Sequence, residues 1–208
     1  MSATLKPKVL FIGFGHLAKS LLSKKLLNSV NIHALNSKGV IKNINLKKKI
    51  LNFNNDYNYI FFLIRPKTFL TSGNQFQKYL SKETLVISCM AGIKLSTIEK
   101  TLKSKKIVRI MPNVMALNNK SQTHIYMKNK NLFDSKLKKI LSTFGTIINV
   151  RNEDQINFAT SVFGSGPAFI AYIVNIFVKA SKKLAKPYHM NEKEVIELFK
   201  NVLETNYS

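Results

Sequence analysis

The sequence predicts an α/β protein whose sheet-forming region is followed by a short all-helical C-terminal part. Three observations predict it. Brief apolar runs alternate with helical periodicities up to about residue 150, a glycine-rich turn separates the first such run from the first helix, and from Arg151 onward only helical patterning remains. The expected domains are 1–151 and 152–208. At 208 residues, 45% of them hydrophobic, the chain suits one good core with a smaller attached unit and is too short for two full-sized domains.

Val9 to Ile12 is an apolar run ending in Gly, and Leu17, Leu21, Leu22 and Leu26 then recur at helical spacing, which gives strand, tight turn, helix. Asn31 to Leu35 reads as a second strand, Asn58 to Ile64 as a buried strand closed by Arg65-Pro66, and Leu85 to Ser88 as another closed near Gly92. Helices are expected near Leu46 to Leu51, Thr68 to Leu80 and Ser96 to Leu102. Strands alternating with helices imply a parallel sheet covered on both faces. Two more strands, Ile107 to Ile110 and Thr123 to Met127, precede a helix Asp134 to Phe144 and a strand Thr146 to Val150. The helical part then runs Glu153 to Val162, breaks at Gly164 to Pro167, and continues to about Leu184; a last helix, Asn191 to about Leu203, opens with an Asn cap. A segment as apolar as Phe169 to Val178 has to bury most of its circumference, which points to a second subunit.

The formal net charge of +23 would suit nucleic acid or an anionic membrane surface. The positive charge is almost all lysine, however, with arginine only at Arg65, Arg109 and Arg151, in a chain rich in Asn and Ile. Phosphate recognition favours the arginine fork, so a solvated basic surface is the expectation. Cys89 stands alone, which excludes a disulfide framework and a thiolate zinc site and fits a reducing cytoplasm; no metal is expected. The N-terminus lacks a signal-peptide pattern, and Phe169 to Val178 is shorter than the ~20 residues of a membrane span, so a soluble chain is expected.

Gly13-Phe14-Gly15-His16-Leu17-Ala18 is a G-x-G-x-x-A fingerprint between a predicted strand and a predicted helix, the Rossmann-type setting for a dinucleotide. The first glycine permits the turn, the second lets backbone approach a pyrophosphate, and Ala18 allows close helix–strand packing. The second strand ends Asn36-Ser37-Lys38, without the carboxylate that holds the ribose hydroxyls of NAD, and uncharged hydrogen-bonders followed by a cation favour NADP(H). Asn and Ser also favour a plain turn there.

Leu63-Ile64-Arg65-Pro66, Ser88-Cys89-Met90-Ala91-Gly92 and Arg109-Ile110-Met111-Pro112-Asn113 each follow a predicted strand, at the edge where open α/β sheets bind ligands. With Gly164-Ser165-Gly166-Pro167-Ala168-Phe169 they closely resemble pyrroline-5-carboxylate reductases, which carry V-K-P, A-A-G, R-x-M-P-N and S-G-S-G-P-A-Y in this order and at similar spacing. The resemblance covers nearly the whole chain. It implies NADPH-dependent reduction of the cyclic imine 1-pyrroline-5-carboxylate to L-proline; the apolar helix, not the resemblance, makes a homodimer or larger homo-oligomer through the C-terminal helices the expected assembly. The resemblance also implies that Ile12 to Ala18, Asn36 to Lys38, Leu63 to Pro66 and Cys89 to Ala91 wrap the cofactor. Asn113, Gly164, Ser165, Gly166 and Pro167 would lie toward nicotinamide and substrate, and no catalytic group is assigned. Pro66 and Pro112 could equally end strands, Gly166-Pro167 could start a helix, and Cys89 reads as a small buried hydrophobe.

The chain departs from the family pattern on the substrate side. The first Ser of S-G-S-G-P is Phe163, the final aromatic is Phe169, Met115 replaces the usual Pro, Asn175 replaces an acid, and the downstream S-P-G-G-T-T is absent, as if part of the helical domain were missing. A working reductase, a non-catalytic NADP(H)-binding relative and a basic RNA-binding protein are therefore the three readings.

Overall fold

A computed structural model describes residues 6–50, 56–184 and 192–206. The chain divides into two compact units, Met1–Gly164 and Ser165–Ser208.

The first unit is built on a nine-stranded sheet. Its strands are β1 (Lys8–Ile12), β2 (Asn31–Leu35), β3 (Ile41–Asn43), β4 (Lys48–Ile50), β5 (Tyr59–Phe62), β6 (Leu85–Ser88), β7 (Ile107–Met111), β8 (Ser121–Tyr126) and β9 (Gly145–Asn149), in spatial order β4-β3-β2-β1-β5-β6-β7-β8-β9. The run β2-β1-β5-β6-β7 is parallel, as the alternation of strands and helices predicts. The sheet as a whole is mixed, because β3, β4 and β8 each pair antiparallel with the preceding strand across a connection too short for a helical crossover.

Strands buried on both faces need continuous apolar sequence, and Tyr59–Phe62 is buried at every position. On one face Phe11 meets Phe61 at a centroid distance of 5.2 Å and Phe61 meets Phe144 at 6.2 Å. On the other, Phe62 takes Phe69 and Phe76 edge-on at 5.5 and 5.6 Å. Burying such rings stabilises by roughly 2–3 kcal/mol each.

Several helices differ from the sequence expectation. The first divides into α1 (His16–Ser20) and α2 (Lys24–Ser29), since the Ser23 hydroxyl accepts from the Leu26 amide and starts a new helix. The helix expected near Leu46 to Leu51 is instead, over its described part, a turn and β4. Asn43 accepts from the Leu46 amide, Asn45 accepts from the Ile32 amide and donates to the Leu27 and Val30 carbonyls, and these side chains outcompete helical bonding. The helix expected over Thr68 to Leu80 is α3 (Pro66–Ser72) followed by a 3₁₀ turn Gly73–Tyr79. A side chain at Gly73 would stand 2.6 Å from the Thr101 methyl of α4 (Leu95–Leu102), so the chain changes helix type where α4 presses on it. The helix α5 (Ser135–Leu141) starts as expected, Asp134 accepting from the Leu137 amide at 2.7 Å.

After β9, α6 (Asp154–Ala159) belongs to the first unit and widens into a π turn over Thr160–Gly164. The break expected at Gly164 to Pro167 comes earlier, over Thr160–Gly164, where the Thr160 and Ser161 hydroxyls donate back to the Ile156 and Phe158 carbonyls, while Gly166 and Pro167 already open the next helix. The second unit holds α7 (Gly166–Leu184) and α8 (Glu192–Asn206), which touch each other. The Asn191 cap lies outside the described residues. The helical run Asp154–Ala180 is, by length and composition, long and apolar enough to cross a membrane, which the shorter apolar stretch read from the sequence did not suggest.

Candidate functional site

The order of the parallel strands reverses direction at β1, with β2 on one side and β5 on the other. In open α/β sheets such a switch leaves a crevice beyond the C-terminal strand ends. The chain leaves β1 there through Gly13, at φ +96°. Gly13 donates its amide to the Leu35 carbonyl at 3.0 Å, and a Cβ at this position would lie 2.7 Å from the Leu63 carbonyl oxygen. Glycine is therefore required by both conformation and space. Gly15 differs, for its backbone is extended (φ −86°, ψ −161°) and a Cβ there would meet nothing within 4 Å. The first helical bond of α1 runs from the Lys19 amide to the Gly15 carbonyl, so the preceding amides are at the open end of the helix. Gly15 and His16 are exposed, Leu17 is half-buried, and Ala18 is buried under the helix as its small size predicts.

These elements enclose a cleft of about 580 Å³. Ile12 to Gly15, Asn36, Ser37 and Leu63 to Arg65 all line it, so three separate stretches singled out in the sequence meet in one place. The Asn36 side chain is engaged in shaping the rim, its Oδ1 accepting from the amides of Lys38 and Val40 at 2.9 and 3.0 Å. Ser37 and Lys38 are left exposed at the tip of that turn. Across the cleft Arg65 is exposed at the N-cap of α3, with Pro66 inside the first turn. Among the described residues the lining includes Arg65 and Lys78 and no carboxylate. A donor-rich, cationic cleft of this kind fits a phosphorylated dinucleotide, and the missing Cβ of Gly15, which would meet nothing within 4 Å, leaves the backbone accessible to it.

Lys78, Phe76 and Tyr79 line the cleft and were not anticipated. The continuous helical pattern read over Thr68 to Leu80 hid them, and the signal that could have found them was Gly73 in the middle of that pattern.

Cys89, Met90 and Ala91 follow β6, the next strand along, and do not line the cleft. Cys89 and Met90 are buried and Ala91 is exposed. Burial pushes the Cys89 thiol far above the ordinary thiol range, which makes it a packing group and not a thiolate. Asn113 caps the 3₁₀ turn Val114–Asn118 through the Met115 amide, while its Nδ2 donates to the Phe163 carbonyl at 2.9 Å. Asn113 and Gly164 are thereby brought close through Phe163, whose ring lies tilted by 38° against His124 at a centroid distance of 4.5 Å. Ser165, Gly166 and Pro167 belong to the second unit. Glu153, absent from the sequence-derived candidates, binds the buried Arg109 at 2.8 Å.

No family model matches the chain. Among curated proteins, pyrroline-5-carboxylate reductase of Staphylococcus aureus (strain COL) is 29% identical over 214 aligned positions, covering 94% of this chain and 76% of the relative. That of Staphylococcus epidermidis (strain ATCC 12228) is 28% identical, over 92% of this chain and 76% of its own length. Among solved structures, Plasmodium falciparum pyrroline carboxylate reductase with NADP bound superposes with a TM-score of 0.73 at 21% identity, covering 95% of this chain and 76% of that one. The 1-pyrroline-5-carboxylate reductase of Streptococcus pyogenes gives 0.72 at 19% identity, covering 95% and 77%. With its motifs in the family order, its cleft at the strand switch and these relatives along almost its entire length, the chain is a homologue of the pyrroline-5-carboxylate reductases.

Proposed function

We propose that the chain reduces 1-pyrroline-5-carboxylate to L-proline with NADPH. The observation that carries this reading is the cleft itself, with open backbone at Gly15 on one wall and Ser37, Arg65 and Lys78 around it, without a carboxylate among the described residues. Bound NADPH would supply the hydride that the imine carbon accepts while the imine nitrogen takes a proton. The chain's part is to bind and orient. The amides from Phe14 to Leu17 face the pyrophosphate, Ser37 and Lys38 take the ribose 2′-phosphate, and Arg65 adds charge from across the cleft. Asn113 and the Gly164 to Pro167 stretch serve the substrate side. Effective positioning alone supplies much of the rate in such chemistry.

The test is NADPH consumption on adding pyrroline-5-carboxylate to purified protein, with Gly15→Asp as control and an NADPH fluorescence titration in parallel. Turnover abolished by the control supports the reductase. Tight NADPH binding without turnover leaves a non-catalytic relative, and absence of both removes the reading.

The proposed assembly is a homodimer or larger homo-oligomer. Phe169, Tyr172, Ile173, Ile176 and Phe177 are all exposed and recur at three- and four-residue spacing along α7, an apolar face that a second copy would cover. The proposed compartment is the cytoplasm, where the unpaired, buried Cys89 stays reduced.

A further inference from the structure

A single carboxylate joins the helix that follows the Ser88 to Gly92 motif to the first residue of the Arg109 to Asn113 motif. Glu153 stands at the N-cap of α6 yet makes no side-chain bond to its own helix. Its Oε1 accepts from the amide of Leu95 at 2.6 Å and from Nη1 of Arg109 at 2.8 Å. Leu95 opens α4, whose N-cap residue Lys94 offers no capping side chain, so Glu153 caps that helix from another part of the chain. Arg109, in β7, has a side chain only 1% exposed, and its Nε and Nη2 are buried without a hydrogen bond among the described residues. In a setting of low dielectric that guanidinium depends on the carboxylate that reaches it.

The connections are specific in direction. Leu95 follows the Cys89 to Lys94 loop that leaves β6. Arg109 begins the R-I-M-P-N motif, and at the other end of that motif Asn113 holds the Phe163 carbonyl. The segment from Glu153 to Phe163 is thus fastened to β7 and its exit at both ends, and its first residue also fastens the loop after β6. We propose that Glu153 is a positioning residue that sets the Cys89 to Lys94 loop and the Phe163–Gly164 turn relative to β7, so that one carboxylate aligns the cofactor-side and substrate-side segments. The inference rests on the substrate-side reading of Asn113 and Gly164 given above and on the expectation, from the family resemblance, that Cys89 to Ala91 serve the cofactor, although they do not line the cleft. Gln at this position retains an acceptor for Leu95 and loses the charge that answers Arg109; Asp is one methylene shorter.

Hydrogen exchange followed by mass spectrometry tests it on the full chain. Wild type, Glu153→Gln and the double variant Arg109→Met with Glu153→Gln are compared over peptides covering 89–97 and 158–166, with 8–12 and 59–62 as internal references. Both windows are expected to exchange about tenfold faster in Glu153→Gln while the references stay within about twofold. A uniform rise across all peptides, or a rise in one window only, overturns the proposal. If Glu153→Gln does not fold, the double variant, which leaves no unpaired buried charge, decides on the same criteria. Turnover measured in parallel separates this inference from the reductase reading. Two-window opening in a protein whose wild type does not turn over leaves the link standing and removes the reductase, whereas unchanged kcat with both windows open overturns the alignment role.

Discussion

Gly13 donates its amide to the Leu35 carbonyl at 3.0 Å while its bare Cα faces the Leu63 carbonyl, so one residue without a side chain binds the ends of β1, β2 and β5 together. Gly15, two residues on, presses on nothing. The two glycines of the fingerprint therefore have separable roles. Gly13→Ala combines a positive φ with a Cβ 2.7 Å from backbone oxygen and is expected to lower stability by about 2 kcal/mol or more. Gly15→Asp should leave stability within about 0.5 kcal/mol and weaken NADPH binding at least tenfold, by placing a carboxylate where the pyrophosphate is to lie. Urea denaturation and NADPH fluorescence on both variants check this; equal stability loss in the two would contradict it.

The parallel strands were legible because burial on both faces demands runs such as Tyr59-Ile60-Phe61-Phe62, and so was the turn at Gly13 to Ala18, whose spacing is set by backbone geometry. The hairpin of β3 and β4 was not. Its lysine-rich sequence carries a weak apolar pattern, and what decides it is the local bond from the Leu46 amide to Asn43 together with bonding by the Asn45 side chain to Ile32 and Val30, distant in the chain. Glu153 was hidden for the same reason. From the sequence it is an acid at the start of a helix, and only the fold brings it to Leu95 and Arg109.

The base of that hairpin contains a pH-sensitive element. His33 is buried with Nδ1 2.9 Å from the Tyr57 hydroxyl and Nε2 3.3 Å from Asn43 Nδ2, an arrangement that suits the neutral ring. Burial first, then the Lys8 charge, lowers its pKa from 6.5 to about 4. The unfolded chain takes up this proton near pH 6.5 and the folded chain only near pH 4, so between those values the unfolded state binds more protons. Stability from this residue is accordingly full above pH 6.5, falls as pH is lowered through the window, and has lost about 3 kcal/mol by pH 4. His33→Gln should flatten urea-denaturation midpoints over that window relative to wild type; an unchanged slope would assign the acid sensitivity elsewhere.

Charge at the rim of the cleft is expected to set cofactor choice. Lys38 is exposed on the turn shaped by Asn36, and no acid among the described residues lines the cleft to offset it. Lys38→Glu is expected to weaken NADPH binding by about tenfold while NADH binding changes less than threefold, because only the former carries a 2′-phosphate. Raising salt should shrink the wild-type preference in the same direction. Titrating both nucleotides at two ionic strengths is the check, and a parallel loss for NADH would mean the substitution disturbs the turn instead of the phosphate contact.

Helix α7 carries five large apolar side chains on one exposed stripe, from Phe169 to Phe177, and covering each against a partner is worth roughly 1.5–3 kcal/mol. Ile173 is at the middle of that stripe, so Ile173→Asp would force a carboxylate into the covered surface without a partner for it. Light scattering is expected to show a dimer or larger species for wild type and a smaller one for Ile173→Asp. The first unit should stay folded by near-ultraviolet circular dichroism, because its core is built separately around Phe11, Phe61 and Phe144. A wild-type chain that is monomeric in detergent-free buffer would remove the second copy as the cover for this face. Wild type that stays soluble only with detergent or vesicles would give the face to a bilayer, as the length and apolar composition of the Asp154–Ala180 helix permit.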